Sequence, residues 1–112
     1  MRVAVLVFGS VGSTIKDIEK YLPEDITGIE IEGSMKGVLS CVSDYAHRHF
    51  IPYGESYPNY NKYGYDAPKR CIANIIMSID MVIAFWDGES CDISFVKQFS
   101  EFACVPFKVY KI

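Results

Sequence analysis

The sequence predicts a single α/β domain, residues 1–112, built on a mostly parallel sheet of five strands, and three observations carry that expectation. Two continuous apolar runs, Val3 to Phe8 and Met81 to Trp86, close on the turn residues Gly9-Ser10 and Asp87-Gly88. Apolar runs without polar alternation suit strands covered on both faces. Strand-like segments then alternate with segments whose apolar residues recur at three and four, as in parallel strands joined by helical crossovers. Finally, 112 residues with 50% hydrophobic and 22% charged side chains have the size and composition of one globular unit. Area scaling buries about two-thirds of its unfolded surface, enough for a core without disulfide or metal staples.

Each element has its own signal. After the first strand, Thr14 and Asp17 hold a capping-box spacing, and Ile15, Ile18, Tyr21 and Leu22 recur with helical period until Pro23. Gly28 to Glu32 alternates with period two, which predicts a strand with Glu32 on its exposed side, and Gly33 and Gly37 break it. Val38, Val42, Tyr45, Ala46 and His49 mark one face of a second helix. Ile51 to Ser56 is a weak third strand because Pro52 interrupts it. Tyr53 to Tyr65 holds five tyrosines with Pro58, Asn59, Asn61 and two glycines, and reads as an ordered loop. Arg70 to Ile79 places Ile72, Ile75, Ile76 and Ile79 on one helical stripe. Beyond the Met81 to Trp86 strand, Ser90 or Asp92 caps a last helix carrying Ile93, Val96, Phe99 and Ala103. Val105-Pro106 ends it, and Phe107 to Ile112 is the final strand.

The element order βαβαβαβαβ is that of a Rossmann-like three-layer domain. Ligands of such sheets bind beyond the carboxyl ends of the strands, at the point where strand order reverses. Candidate functional segments are therefore Gly9 to Ser13, Glu32 to Gly37, Tyr57 to Arg70 and Asp87 to Asp92.

Charge and cysteine usage exclude several classes. Eleven Lys and Arg against 14 Asp and Glu leave a net charge of −3 with no basic run, so nucleic acid is not an expected partner. The apolar runs fall well short of the ~20 residues that cross a bilayer, and Met1-Arg2 enters a strand with no cleavage pattern behind it. The expectation is a cytoplasmic protein without a membrane partner. Cys41, Cys71, Cys91 and Cys104 form no CxxC pair, and no His stands at ligand spacing, which predicts reduced thiols and no zinc site. No metal or redox cofactor is implied, because a complete dinucleotide fingerprint is also missing.

Sharper readings compete with plainer ones. Gly88-Glu89-Ser90-Cys91-Asp92 is one residue from a Gly-x-Ser-x-Gly nucleophile elbow, yet His47 and His49 fall on the second helix, so Ser90 reads first as a helix cap. Asp44, His47 and Arg48 share a helical face and read as a solvated ion-pair surface. Asp87, at a strand tip, either contacts a ribose or base or closes a turn with Gly88. Tyr57, Tyr60, Tyr63 and Tyr65 either stack on a base or cover a sheet edge or subunit interface. Trp86 reads as core first and as a cofactor contact second.

The loop residues Gly9-Ser10, Gly33-Ser34-Met35-Lys36-Gly37, Tyr60 to Gly64, Ala67-Pro68-Lys69-Arg70 and Asp80 to Ser90 together resemble the SLOG superfamily, most closely its small stand-alone YspA-like and YpsA-like members. The resemblance covers nearly the whole chain, and Ala84-Phe85-Trp86-Asp87-Gly88-Glu89-Ser90 is its most specific stretch. It implies a Rossmann-like domain for a nucleotide or nucleotide-derived ligand, related to DprA and the cytokinin-activating phosphoribohydrolases. The departures from the family pattern are specific: Ser34, Met35 and Leu39 replace a glycine, an alanine and an acid, Cys71 follows Arg70 where Asn is usual, and Asp92 stands in place of a glycine. With these departures the chain reads as a non-enzymatic binding module, homo-oligomeric, with Gly9, Ser10, Gly33, Lys36, Gly37, Tyr63, Arg70, Asp87, Gly88 and Ser90 around the ligand that the resemblance implies. A glycosidic or phosphoester hydrolase, and a degenerate member acting through protein contacts, are the alternatives.

Overall fold

The structure, a computed structural model, describes residues 1–9, 17–35 and 39–111. Its strands β1 (Arg2–Phe8), β2 (Gly28–Glu32), β3 (Tyr53–Ser56), β4 (Met81–Trp86) and β5 (Phe107–Lys111) form one sheet in the order β3-β2-β1-β4-β5. The expected mostly parallel sheet is wholly parallel. The central pair runs in register from Val3 opposite Met81 to Phe8 opposite Trp86, which accounts for both continuous apolar runs. Strands in that position are covered on both faces and have no polar side.

Helices α1 (Ser40–Arg48), α2 (Tyr60–Tyr63), α3 (Ala67–Met77) and α4 (Asp92–Phe102) complete a Rossmann-like α/β architecture. On one face, Val3, Val5, Val7, Ile29, Ile31, Ile83 and Phe85 pack against Ile18, Leu22 and the α1 residues Val42 and Ala46. On the other, Ala4, Leu6, Phe8, Val82 and Ala84 pack against Cys71, Ile72, Ile75 and Ile76 of α3 and Val96 of α4. Each fully buried aliphatic side chain contributes about 1.5–3 kcal/mol. The two cores make the sheet the rigid middle layer, and its strand tips a fixed frame for the loops.

Several local expectations need correction. Residues 10–16, which include Thr14 and Ile15, lie outside the described residues, and the expected first helix is represented by a 3-10 turn, Ile18–Lys20. Asp17 has φ +50°, a left-handed conformation that Asp tolerates but a helix interior does not. Ile18 and Leu22 are nevertheless buried, so the apolar spacing marks a packed segment. The β3 strand starts immediately after Pro52, whose missing N–H keeps it out of the ladder while its carbonyl accepts from Ile29 N–H.

The tyrosine-rich stretch is not a plain loop. Asn59 caps the single turn α2 through Oδ1 to Lys62 N–H, and a 3-10 turn, Gly64–Asp66, leads into α3. The α3 helix begins three residues before the expected Arg70, because Pro68 in the first turn needs no hydrogen-bond acceptor. Ser90 does not cap α4, and Asp92 is already helical; Cys91 holds the cap position without a side-chain bond. Ile112 lies outside the described residues.

Candidate functional site

Strand order reverses between β1 and β4, since β1 continues to β2 on one side and β4 to β5 on the other. At the tip of β1, Gly9 has φ +91°, and a Cβ there would lie 1.9 Å from Asp87 Oδ2. Only glycine fits that approach. Asp87 Oδ1 accepts the backbone N–H groups of Glu89 at 2.9 Å and Ser90 at 2.8 Å, so the carboxylate closes the turn after β4. Gly88, at φ +87°, lies under the Lys111 side chain. The Trp86 indole N–H donates to the Ser90 carbonyl at 3.0 Å and ties the same turn from inside. Asp87 and Trp86 therefore build the wall that the α4 entry stands on.

The tip of β2 overturns the expected exposure of Glu32. This carboxylate is only 3% exposed. The alternation places Ile29 and Ile31 in one core correctly, but α3 covers the opposite face at the strand tip, so the acid is buried there. It accepts the Ser34 N–H at 3.0 Å and the Ser34 hydroxyl, a pairing that holds a buried carboxylate in one orientation. Gly33 is required because a Cβ would lie 2.3 Å from the Tyr57 ring, whose hydroxyl is anchored on Glu55 at 2.8 Å. Met35 folds back over the sheet and its Sδ accepts the Val7 N–H at 3.3 Å, beyond the last β1–β2 rung. On α3, burial and then the negative Glu32 push the Cys71 thiol up to about 11.

These pieces surround a crevice of about 340 Å³ over the ends of β1, β2 and β4. Gly9, Glu32, Ser34, Met35, Lys69, Ile72, Ser90, Asp92 and Phe95 are among the residues that line it. Lys69 and Phe95 also line a neighbouring groove of similar volume with Tyr63, Asp66, Arg70, Ala73 and Asn74. There the Arg70 guanidinium lies 4.7 Å from the Tyr63 ring centre and Lys69 Nζ 5.5 Å from that of Phe95. Among the described residues neither cation forms an ion pair. Charge of both signs lines the combined site: Glu32 and Asp92 with Lys69 in the crevice, and Asp66 with Lys69 and Arg70 in the adjoining groove.

A larger groove, about 520 Å³, runs between the Ile18–Lys20 turn and α1. Its lining includes the exposed Asp44, His47 and Arg48, which form no ion pairs among the described residues. It lies along a helix flank, away from the strand tips.

Of the expected site residues, Gly9 and Ser90 line the crevice, Tyr63 and Arg70 line the adjoining groove, and Gly33, Asp87 and Gly88 shape the turns beside them. Ser10, Lys36 and Gly37 lie outside the described residues. Glu32 opens the candidate segment Glu32 to Gly37 but, expected to be exposed, was not among the individual ligand contacts; its signal is an acid ending a strand 23 positions after Gly9. Neither histidine reaches the crevice: His47 Nδ1 lies 3.0 Å from the Ser43 carbonyl oxygen, and His49 stacks on Tyr45. Ser90 thus has no imidazole base among the described residues, as an elbow nucleophile would need. Among the described residues no three His, Cys, Asp or Glu side chains converge as a metal site, and no helix is long and apolar enough to cross a membrane. No protein-family model matches the chain, and no curated protein or solved structure matches it.

Proposed function

We propose that this protein is a non-enzymatic binding module for a nucleotide or nucleotide-derived small molecule, held at the carboxyl ends of the strands. The observation that carries the reading is the crevice at the reversal of strand order, which shares Lys69 and Phe95 with a groove whose two cations, Lys69 and Arg70, form no ion pair among the described residues. Its volume lies at the lower end of the ~300–1,000 Å³ typical of small-molecule sites. The inner wall, with Glu32 and Asp92, favours hydrogen-bond donors such as sugar hydroxyls and base amino groups. The adjoining groove sets Lys69 and Arg70 against Asp66, a balance of charge that favours an anion, and Tyr63 offers an aromatic face. The SLOG resemblance points to the same ligand class, and a cytoplasmic homo-oligomer is part of the proposal.

The reading is tested by thermal unfolding with a panel of nucleosides and nucleotides, on the natural chain and on Arg70→Ala. Arg70 is exposed on α3, so its removal spares the core. A ligand at 100 times its Kd adds about 2.7 kcal/mol of stability, several degrees for a chain of this length. The expected result is such a shift in the natural chain, reduced in Arg70→Ala. No shift with any nucleoside or nucleotide would favour a protein that works through protein contacts, and turnover lost with Arg70 would favour a hydrolase.

A further inference from the structure

Resting on the nucleotide reading, we propose that Tyr65 is the residue that selects for a base, stacking its ring on the flat face of a purine or pyrimidine seated in the crevice. The four tyrosines expected either to stack or to pack are told apart by their surroundings. The Tyr57 ring fills the space beside Gly33, and its hydroxyl donates to Glu55. Tyr63 lies under the Arg70 guanidinium at 4.7 Å and belongs to the adjoining groove. Tyr60 is exposed and lines neither that groove nor the crevice. Of the four, Tyr65 is the one that lines the crevice.

Folding makes no use of this ring. Its exposure, 103%, is that of an extended chain, and among the described residues it has no hydrogen-bond or ring partner. A scattered exposed aromatic needs no account, but this one borders a cavity of ligand size. Its backbone, by contrast, is held. Gly64 takes φ +56°, which glycine tolerates best, and the 3-10 turn Gly64–Asp66 leads directly into α3, whose inner face is in the core. Pro68 lines the crevice from the same end of α3, and Phe95 and Val96 bring apolar surface to it from α4. A flat ring there meets apolar neighbours, while Glu32, Asp92, Lys69 and Ser90 supply donors and acceptors for its polar edge. Every base has a stacking face, so the contact favours ligands that carry a base without choosing which base.

The test is calorimetric titration of the full chain with the four ribonucleoside 5′-monophosphates and with ribose 5-phosphate, which lacks the base. At least one nucleotide is expected to bind the natural chain more tightly than ribose 5-phosphate does. Tyr65→Ala, which removes an exposed side chain and spares the core, should weaken that nucleotide about tenfold or more and leave ribose 5-phosphate unchanged. Tyr65→Phe keeps the ring and should bind as the natural chain does, whereas Tyr65→Leu, apolar but without a flat face, should resemble Tyr65→Ala. In Tyr65→Trp the nucleotide, and not ribose 5-phosphate, should quench the added indole, against a natural chain whose single tryptophan is Trp86. Equal nucleotide affinity in the natural chain and Tyr65→Ala overturns the inference and leaves the nucleotide reading standing. A loss of the same size for the nucleotide and for ribose 5-phosphate also overturns it, because Tyr65 would then shape the crevice and not read the base. A natural chain that binds none of these nucleotides overturns both readings together.

Discussion

At the scale of single residues, the site is set by close approaches that the side chains alone do not reveal. Gly33 carries no unusual backbone demand in the sequence, yet the Tyr57 ring occupies the space of its missing Cβ. Gly33→Ala should therefore displace Tyr57 and destabilise the protein by about 1–3 kcal/mol, measured by urea unfolding; a neutral result would mean that the ring moves freely. Cys71 gives a pH dependence with a definite sign. Its folded thiol titrates near 11 against 9.0 for the ordinary group, because burial and then Glu32 disfavour the thiolate. Between those values the unfolded chain has lost a proton that the folded chain keeps, so this contribution is present below pH 9 and is lost as pH rises through 11. Unfolding free energy of the natural chain should thus fall more steeply above pH 9 than that of Cys71→Ala, and parallel curves would contradict the assignment.

At the scale of elements, the turn from β4 to α4 depends on one carboxylate. Asp87 satisfies two amides ahead of a helix whose cap position, Cys91, supplies no side-chain bond. Asp87→Ala should cost about 1–2 kcal/mol in chemical unfolding. Asp87→Asn should recover most of it, because the amide oxygen can accept the same bonds. If Asn were as damaging as Ala, the charge and not the acceptor would be holding the turn. Strand elements were legible because Val3 to Phe8 and Met81 to Trp86 are apolar throughout and pair with each other. Local rules misread other segments where a neighbour decides. Glu32 looked exposed by alternation until α3 covered its face, and Ser90 looked like a cap although Asp87 had already taken its amide. The Tyr60–Tyr63 turn was hidden by its brevity, since a single turn has no periodicity to detect.

For the whole molecule, the element order and composition were sufficient for the parallel three-layer plan, and the plan itself locates the crevice. The polarity of the site was less legible. Composition reports a net charge of −3 but not that Glu32 and Asp92 meet Lys69 in the crevice, nor that Lys69 and Arg70 face Asp66 in the groove beside it. That arrangement is a product of helix placement: the start of α3 supplies Lys69 and Arg70 beside the tip of β2. A ligand of matching polarity would bridge both compartments and protect the strand tips together.

The most direct test of that account is mass spectrometry of small molecules released on denaturing the purified protein, after its intact native mass has been recorded. The account predicts a nucleotide-like species in stoichiometric amount with the natural chain and a depleted one with Arg70→Ala. An empty natural chain that no nucleotide stabilises would contradict it, as would a species retained in full when Arg70 is removed.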